Sequence, residues 1–147
     1  MLLVDYLQKI APPESDDPRR SRNESTGEIV EVLKNLASDL DIPVLALCQL
    51  NRDSEKRDNR RPRLADLRDS GRIEEEADCV CFLHRPHMGR PTKDGGDDVA
   101  MEMILAKGRN VGLRDEWAYL DGATGVLYSD RMERDLVVQS RQEEEVN

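Results

Sequence analysis

The chain opens with an apolar run, Leu2-Leu3-Val4, that meets a carboxylate at Asp5. Such a run suits a strand covered on both faces. A carboxylate at its carboxyl end sits where open α/β sheets bind ligands. One or two carboxylates are enough to hold a hydrated Mg2+ beside phosphates. The same pattern also fits a strand that simply ends in a turn. A second apolar run, "VLALCQ", ends on Gln49, whose amide donates and accepts hydrogen bonds without changing charge. A polar strand end that merely faces water would look the same. Lys107 and Arg109 are two residues apart, so strand alternation puts both on one face, aimed at one target or exposed on a sheet edge. From Arg52 to Arg72 eight basic residues oppose five acidic ones, a local balance of +3 in a chain of net charge −9. That stretch suits phosphate contacts or a solvated charge run. Cys79, Cys81, His84 and His87 are zinc-ligand types. Their spacing is wrong, because structural zinc sites prefer C-x2–4-C with a more distant second pair. Core cysteines and surface histidines fit better.

The elements that would position these residues alternate. Residues 2–7 read as a strand. Residues 11–25 carry three prolines and mixed charge and read as a mobile loop. Ile29, Val30, Val32, Leu33, Leu36, Ala37 and Leu40 fall at helical spacing, with Ser25 or Thr26 placed to cap. "DIP" ends that helix before the strand that runs to Gln49. Strand, helix, strand implies a parallel pair. Beyond the polar stretch, "RIEEEAD" reads as a short helix, "CVCFLH" and "VAMEMILAKGR" as strands, and "LRDEWAYL" with "GVLYSD" as a closing hairpin. The end, "QSRQEEEVN", reads as a charged, frayed tail.

Bulk properties exclude several classes. No apolar run approaches the roughly 20 residues needed to span a bilayer, and no basic stretch precedes the first apolar run as in a signal peptide. Three cysteines in no disulfide-rich pattern fit a reducing cytoplasm. A net charge of −9 argues against nucleic-acid binding by overall charge. Aromatics at 3% argue against a base-stacking platform.

Four motifs occur in order: "LLVDYLQ", "PVLALCQLNR", "RPRLADLRDSGRIEEEAD" and "ILAKGRN". Together, over roughly residues 2–112, they resemble the C-terminal half of the ATPase domain of replicative DNA helicases of the DnaB family. The resemblance implies an α/β chain with a partial RecA-like P-loop NTPase fold. Its central sheet would be mainly parallel, with flanking helices and a C-terminal β-hairpin. Residues 1–130 would form the half-domain and 131–147 a charged tail, disordered at its end. The implied activity is ATP-dependent 5′-to-3′ DNA unwinding by a homo-hexamer ring on single-stranded DNA in the cytoplasm, with ATP and Mg2+ as cofactors and no membrane.

Roles follow position by position. Asp5 matches the Walker B aspartate that orients Mg2+. Gln49 matches the sensor that hydrogen-bonds the γ-phosphate or the attacking water. Arg68, Asp69 and Gly71 match the DNA-binding loop, the guanidinium pairing with a phosphate and the glycine letting the backbone approach. The family usually has Glu where Asp69 stands. Lys107 and Arg109 match the basic pair that reaches the neighbour's ATP, Arg109 as the arginine finger. After "RN" the family usually turns on Gly-Pro, whereas this chain reads "VGLRDEW".

No segment matches the P-loop, G-x-x-x-x-G-K-[ST]. In the family that motif and the catalytic glutamate lie upstream of the Walker B strand. The expectation is therefore part of a helicase that does not turn over ATP alone. The alternative is a non-enzymatic remnant or regulator that binds intact helicase subunits in a ring. Other RecA-like ATPases share the Walker B strand, but "DLRDSG…IEEEAD" followed by "AKGRN" points to the replicative helicases.

Overall fold

The computed structural model describes residues 1–11, 22–51, 57, 60–86 and 99–146, without the side chains of 22–24, 68–70 and 144–146. The chain divides into two compact units, Met1–Val80 and Cys81–Asn147.

In the first unit, β1 (Leu2–Val4) pairs in parallel with β2 (Val44–Ala46), Leu3 opposite Leu45. Between them runs α1 (Arg22–Leu40). This is the expected strand–helix–strand arrangement, with two differences. The helix starts at Arg22, so Ser25 and Thr26 lie inside it rather than capping it, and Thr26 is buried. The strands alternate instead of burying both faces: Leu3 and Leu45 are 59% and 53% exposed, while Leu2, Val4, Val44 and Ala46 are half-buried.

The end of α1 is built by the backbone. Ile42 N–H donates to Ala37 C=O at 3.1 Å and Asp41 N–H to Ser38 C=O at 3.4 Å, with Asp41 left-handed at φ 50°. This is the Schellman arrangement, which satisfies the carbonyls left open at a helix end. The chain then turns directly into β2.

A 3-10 turn (Leu7–Lys9) follows β1, and another (Leu64–Ser70) leads into α2 (Gly71–Glu76). The second turn and α2 pack on α1. Leu7, Ile29, Leu67 and Ile73 are buried. Each such burial is worth about 1.5–3 kcal/mol. Arg72–Glu31 and Lys34–Asp78, both at 2.5 Å, tie α1 to α2 and to the segment after it. Pairs this exposed add little stability.

The second sheet has the order β3 (Cys79–His84), β4 (Ala100–Gly108), β5 (Arg114–Leu120), β6 (Leu127–Tyr128). β4–β5 and β5–β6 are antiparallel, so among the described pairings parallel geometry is confined to β1–β2. The hairpin read from "LRDEWAYL" and "GVLYSD" is β5–β6. The segment expected as a frayed tail is helical, α3 (Arg131–Val146). It is held by an ion pair, Arg141 to Asp121 at 2.8 Å. Cys79 and Cys81 are exposed rather than in a core. Phe82 takes the inward position on β3, and strand alternation turns 79 and 81 outward.

Candidate functional site

Asp5 and Gln49 stand at the adjoining carboxyl ends of the parallel pair. The ladder continues past both strands: Leu47 N–H donates to Val4 C=O at 2.9 Å, and Leu7 N–H donates to Leu47 C=O at 2.9 Å. A regular parallel ladder would receive the second bond from residue 6. Here Leu7 supplies it, so regular pairing ends at Val4 and Ala46 and the chain leaves β1 in a bend at Asp5. Asp5 is exposed, as is Gln49. A carboxylate and an amide thus each follow one of two adjacent parallel strands, at the edge where α/β sheets bind ligands.

Gln8, on the turn after Asp5, carries no signal in its sequence context. Its Oε1 accepts from Gln49 N–H at 3.2 Å, and its Nε2 donates to Gln49 C=O at 3.2 Å and to Cys48 Sγ at 3.2 Å. Burial pushes the Cys48 thiol above its ordinary range, and the Gln8 hydrogen bond offsets part of that.

Among the described residues of the basic stretch, one carboxylate gathers several bonds. Asp66 Oδ2 accepts from Arg63 N–H at 2.9 Å and from the Arg57 guanidinium at 2.6 Å. Its backbone C=O accepts from Asn51 N–H at 3.3 Å. The Asp66 side chain is only 10% exposed. An Asp three residues past an arginine carries no usual capping signal, which hid this role in the sequence. Arg68 and Asp69 lie in the second 3-10 turn, and their side chains fall outside the description. Gly71 follows at φ −49°, ψ −32°, a right-handed helical conformation open to any residue. A Cβ there would meet no described atom within 4 Å. Neither backbone conformation nor internal packing requires glycine at this position.

Lys107 and Arg109 belong to the second unit. Lys107 is half-buried near the end of β4, while Arg109 is exposed just past it. The two do not share a strand face as alternation predicts, because the strand closes at Gly108. A Cβ on Gly108 would sit 2.5 Å from Val111 Cγ2 and 2.8 Å from Val111 O, so the chain folds back over the glycine. Arg109 therefore projects from a bend.

A single exposed carboxylate fits Mg2+ that is otherwise bound by water and nucleotide phosphates. Among the described residues no group of three or more His, Cys, Asp or Glu could hold a metal by itself.

Comparison with known proteins gives a consistent result. Residues 1–117 match the family model of the DnaB-like helicase C terminal domain. The replicative DNA helicase DnaB of Geobacillus stearothermophilus is 42% identical over 110 residues, covering 75% of this chain and 23% of that protein. DnaC of Bacillus subtilis, also a replicative DNA helicase, is 41% identical over 110 residues, with the same coverages of 75% and 23%. The chain thus spans about a quarter of the length of these curated relatives. Among solved structures, one described as an ATPase domain superposes with a TM-score of 0.76 at 34% identity, covering 85% of this chain and 42% of that one. A DnaB-like replicative helicase, described with its primase interactions, gives 0.73 at 34% identity, covering 82% and 28%. The α/β fold is that of these ATPase domains. No described helix is long and apolar enough to cross a membrane.

Proposed function

This chain belongs to the DnaB-like helicase C-terminal domain family, and from that premise we propose that it supplies half of the working parts of an ATP-driven DNA helicase. The observation that supports the reading is the parallel pairing of β1 with β2, which puts Asp5 and Gln49 just past the carboxyl ends of two adjacent strands. In this reading Asp5 holds Mg2+ through its water shell, and the metal, when bound, neutralises charge on the β- and γ-phosphates of ATP. The Gln49 amide hydrogen-bonds the γ-phosphate or the attacking water. Arg109, with Lys107 behind it, reaches the ATP of a neighbouring subunit and stabilises charge on the transferring phosphoryl group.

The turn through Arg68 and Asp69 to Gly71 tracks the DNA backbone. Arg68 pairs with a phosphate, and the open backbone at Gly71 donates an N–H. Asp66 holds that turn in shape. The proposed assembly is a hexameric ring on single-stranded DNA, acting in the cytoplasm in replication. Phosphates are gripped by other parts of the ring, since these 147 residues contain no G-x-x-x-x-G-K-[ST].

The test is co-assembly. Mixed with intact DnaB-family subunits, ATP and single-stranded DNA, the chain is expected to enter rings that unwind a forked duplex. Rings that exclude the chain at every mixing ratio would refute the reading. Rings that include it but ignore Asp5→Ala, Gln49→Ala and Arg109→Ala would assign it a non-enzymatic role.

A further inference from the structure

We propose that Gln8 is the positioning residue for Gln49, fixing the sensor's backbone relative to the turn that follows Asp5. The inference rests on the reading of Gln49 as a nucleotide sensor. The side-chain amide of Gln8 makes a two-point clamp on one residue 41 positions away: it accepts from Gln49 N–H and donates to Gln49 C=O, each at 3.2 Å. Its second N–H donates to Cys48 Sγ at 3.2 Å. Both donor hydrogens and one acceptor lone pair are therefore committed to residues 48 and 49.

The clamp has a rigid base. Leu7, beside Gln8, is 3% exposed, and its N–H is bonded to Leu47 C=O. Asp5 lies three residues before Gln8, in the bend that leads into that turn. Residues 47, 48 and 49 each carry a bond to it, so the segment leaving β2 is strapped along its length to the segment leaving β1. Past Ala46 regular strand geometry has ended, and the strap replaces the ladder that would otherwise hold Gln49 in place. Displacement of Gln49 by a nucleotide phosphate is transmitted through Gln8 to the Asp5 bend, and displacement of Asp5 travels back. The full set of three bonds needs an amide of this length. Ionised glutamate keeps the acceptor but loses both donors, and methionine keeps the length but loses all three bonds.

The experiment is NMR on the isotopically labelled full chain, reading two quantities: hydrogen exchange of the Gln49 backbone amide in the chain by itself, and the shift of the Gln49 side-chain amide on adding MgATP to rings assembled from the labelled chain and unlabelled P-loop-bearing DnaB-family subunits. Gln8→Met is expected to speed Gln49 exchange about three- to tenfold, the worth of one net hydrogen bond, and to remove most of the MgATP shift. Gln8→Glu, which retains the acceptor, is expected to restore exchange to within about twofold of wild type. A merely space-filling role would leave exchange unchanged in Gln8→Met. Wild-type exchange and a wild-type MgATP shift in Gln8→Met would overturn the proposal. Faster exchange in Gln8→Met, with no MgATP shift even in the wild type, would support the clamp and refute the sensor reading of Gln49 instead.

Discussion

Replacing Gly71 by alanine separates folding from DNA binding at a single atom. Gly71 opens α2 in a right-handed helical conformation, φ −49° and ψ −32°. The added methyl would meet no described atom within 4 Å. It introduces no clash, while alanine leaves the unfolded chain fewer conformations to lose than glycine does. Gly71→Ala should therefore raise the unfolding free energy by about 0.5–1 kcal/mol, read as a higher urea midpoint at unchanged slope. If the backbone at 71 donates to a DNA phosphate, the methyl stands between them. A hydrogen bond to a charged group is worth about 1.5–3 kcal/mol, so affinity for single-stranded DNA should fall about ten- to hundredfold. Fluorescence anisotropy with a labelled oligonucleotide at fixed salt measures it. A more stable protein with wild-type DNA affinity would refute the close approach of DNA to this backbone.

Three further outcomes are expected. Asp41 holds a left-handed conformation at the end of α1, where a non-glycine residue is strained, so Asp41→Gly should stabilise by about 0.5–1 kcal/mol in urea titrations. The Arg141 guanidinium, the Thr124 hydroxyl and the Ala123 N–H hold the Asp121 carboxyl far below the usual carboxylate range. Its contribution is fully present above the unfolded value of about 4 and is lost only as pH falls through the lower folded value. Docking of α3, followed by NMR of the Arg141 side chain, should accordingly persist well below pH 4 in the wild type, and Asp121→Asn should lose the acid-side dependence that this carboxylate adds. Iodoacetamide should label the exposed Cys79 and Cys81 before Cys48, whose thiol is part-buried and shifted upward. Mass spectrometry that found Cys48 labelled first would contradict the strapped geometry around it.

Some of this architecture was legible in the chain because local chemistry and tertiary context agree. "CVCFLH" has a strand's composition and forms β3 over the same residues. "DIP" stops α1 because the left-handed Asp41 and the proline at 43 both oppose a helix. The hairpin around "DGATG" follows from turn residues, stapled by Asp121 to Thr124 and Ala123. Other features depend on contacts that no local pattern encodes. The C-terminal helix is tied to the sheet by Arg141 bonding Asp121, 20 residues away, a contact no local pattern announces. Helix α1 begins well before Ile29, the first apolar position of its periodic face, and runs through Arg22, Asn23 and Glu24, where hydrophobic periodicity gives no signal. Asp5 and Gln49 were visible as polar ends of apolar runs. Gln8 was not, because a glutamine in a turn reads as solvent-facing until its partner 41 residues on is known. Alternation does not carry from Lys107 to Arg109, because the strand ends at Gly108, where Val111 folds back over the glycine.

The central claim is that the chain completes an ATP site it does not hold alone. Single-stranded-DNA-stimulated ATP turnover, measured on rings assembled from this chain and P-loop-bearing DnaB-family subunits, addresses it most directly. With wild-type chain the rings should turn over, and Arg109→Ala in this chain alone should reduce turnover at its interfaces by about a thousandfold or more, as expected for loss of an arginine finger supplied in trans. Equal turnover with Arg109 and with Arg109→Ala would contradict the claim.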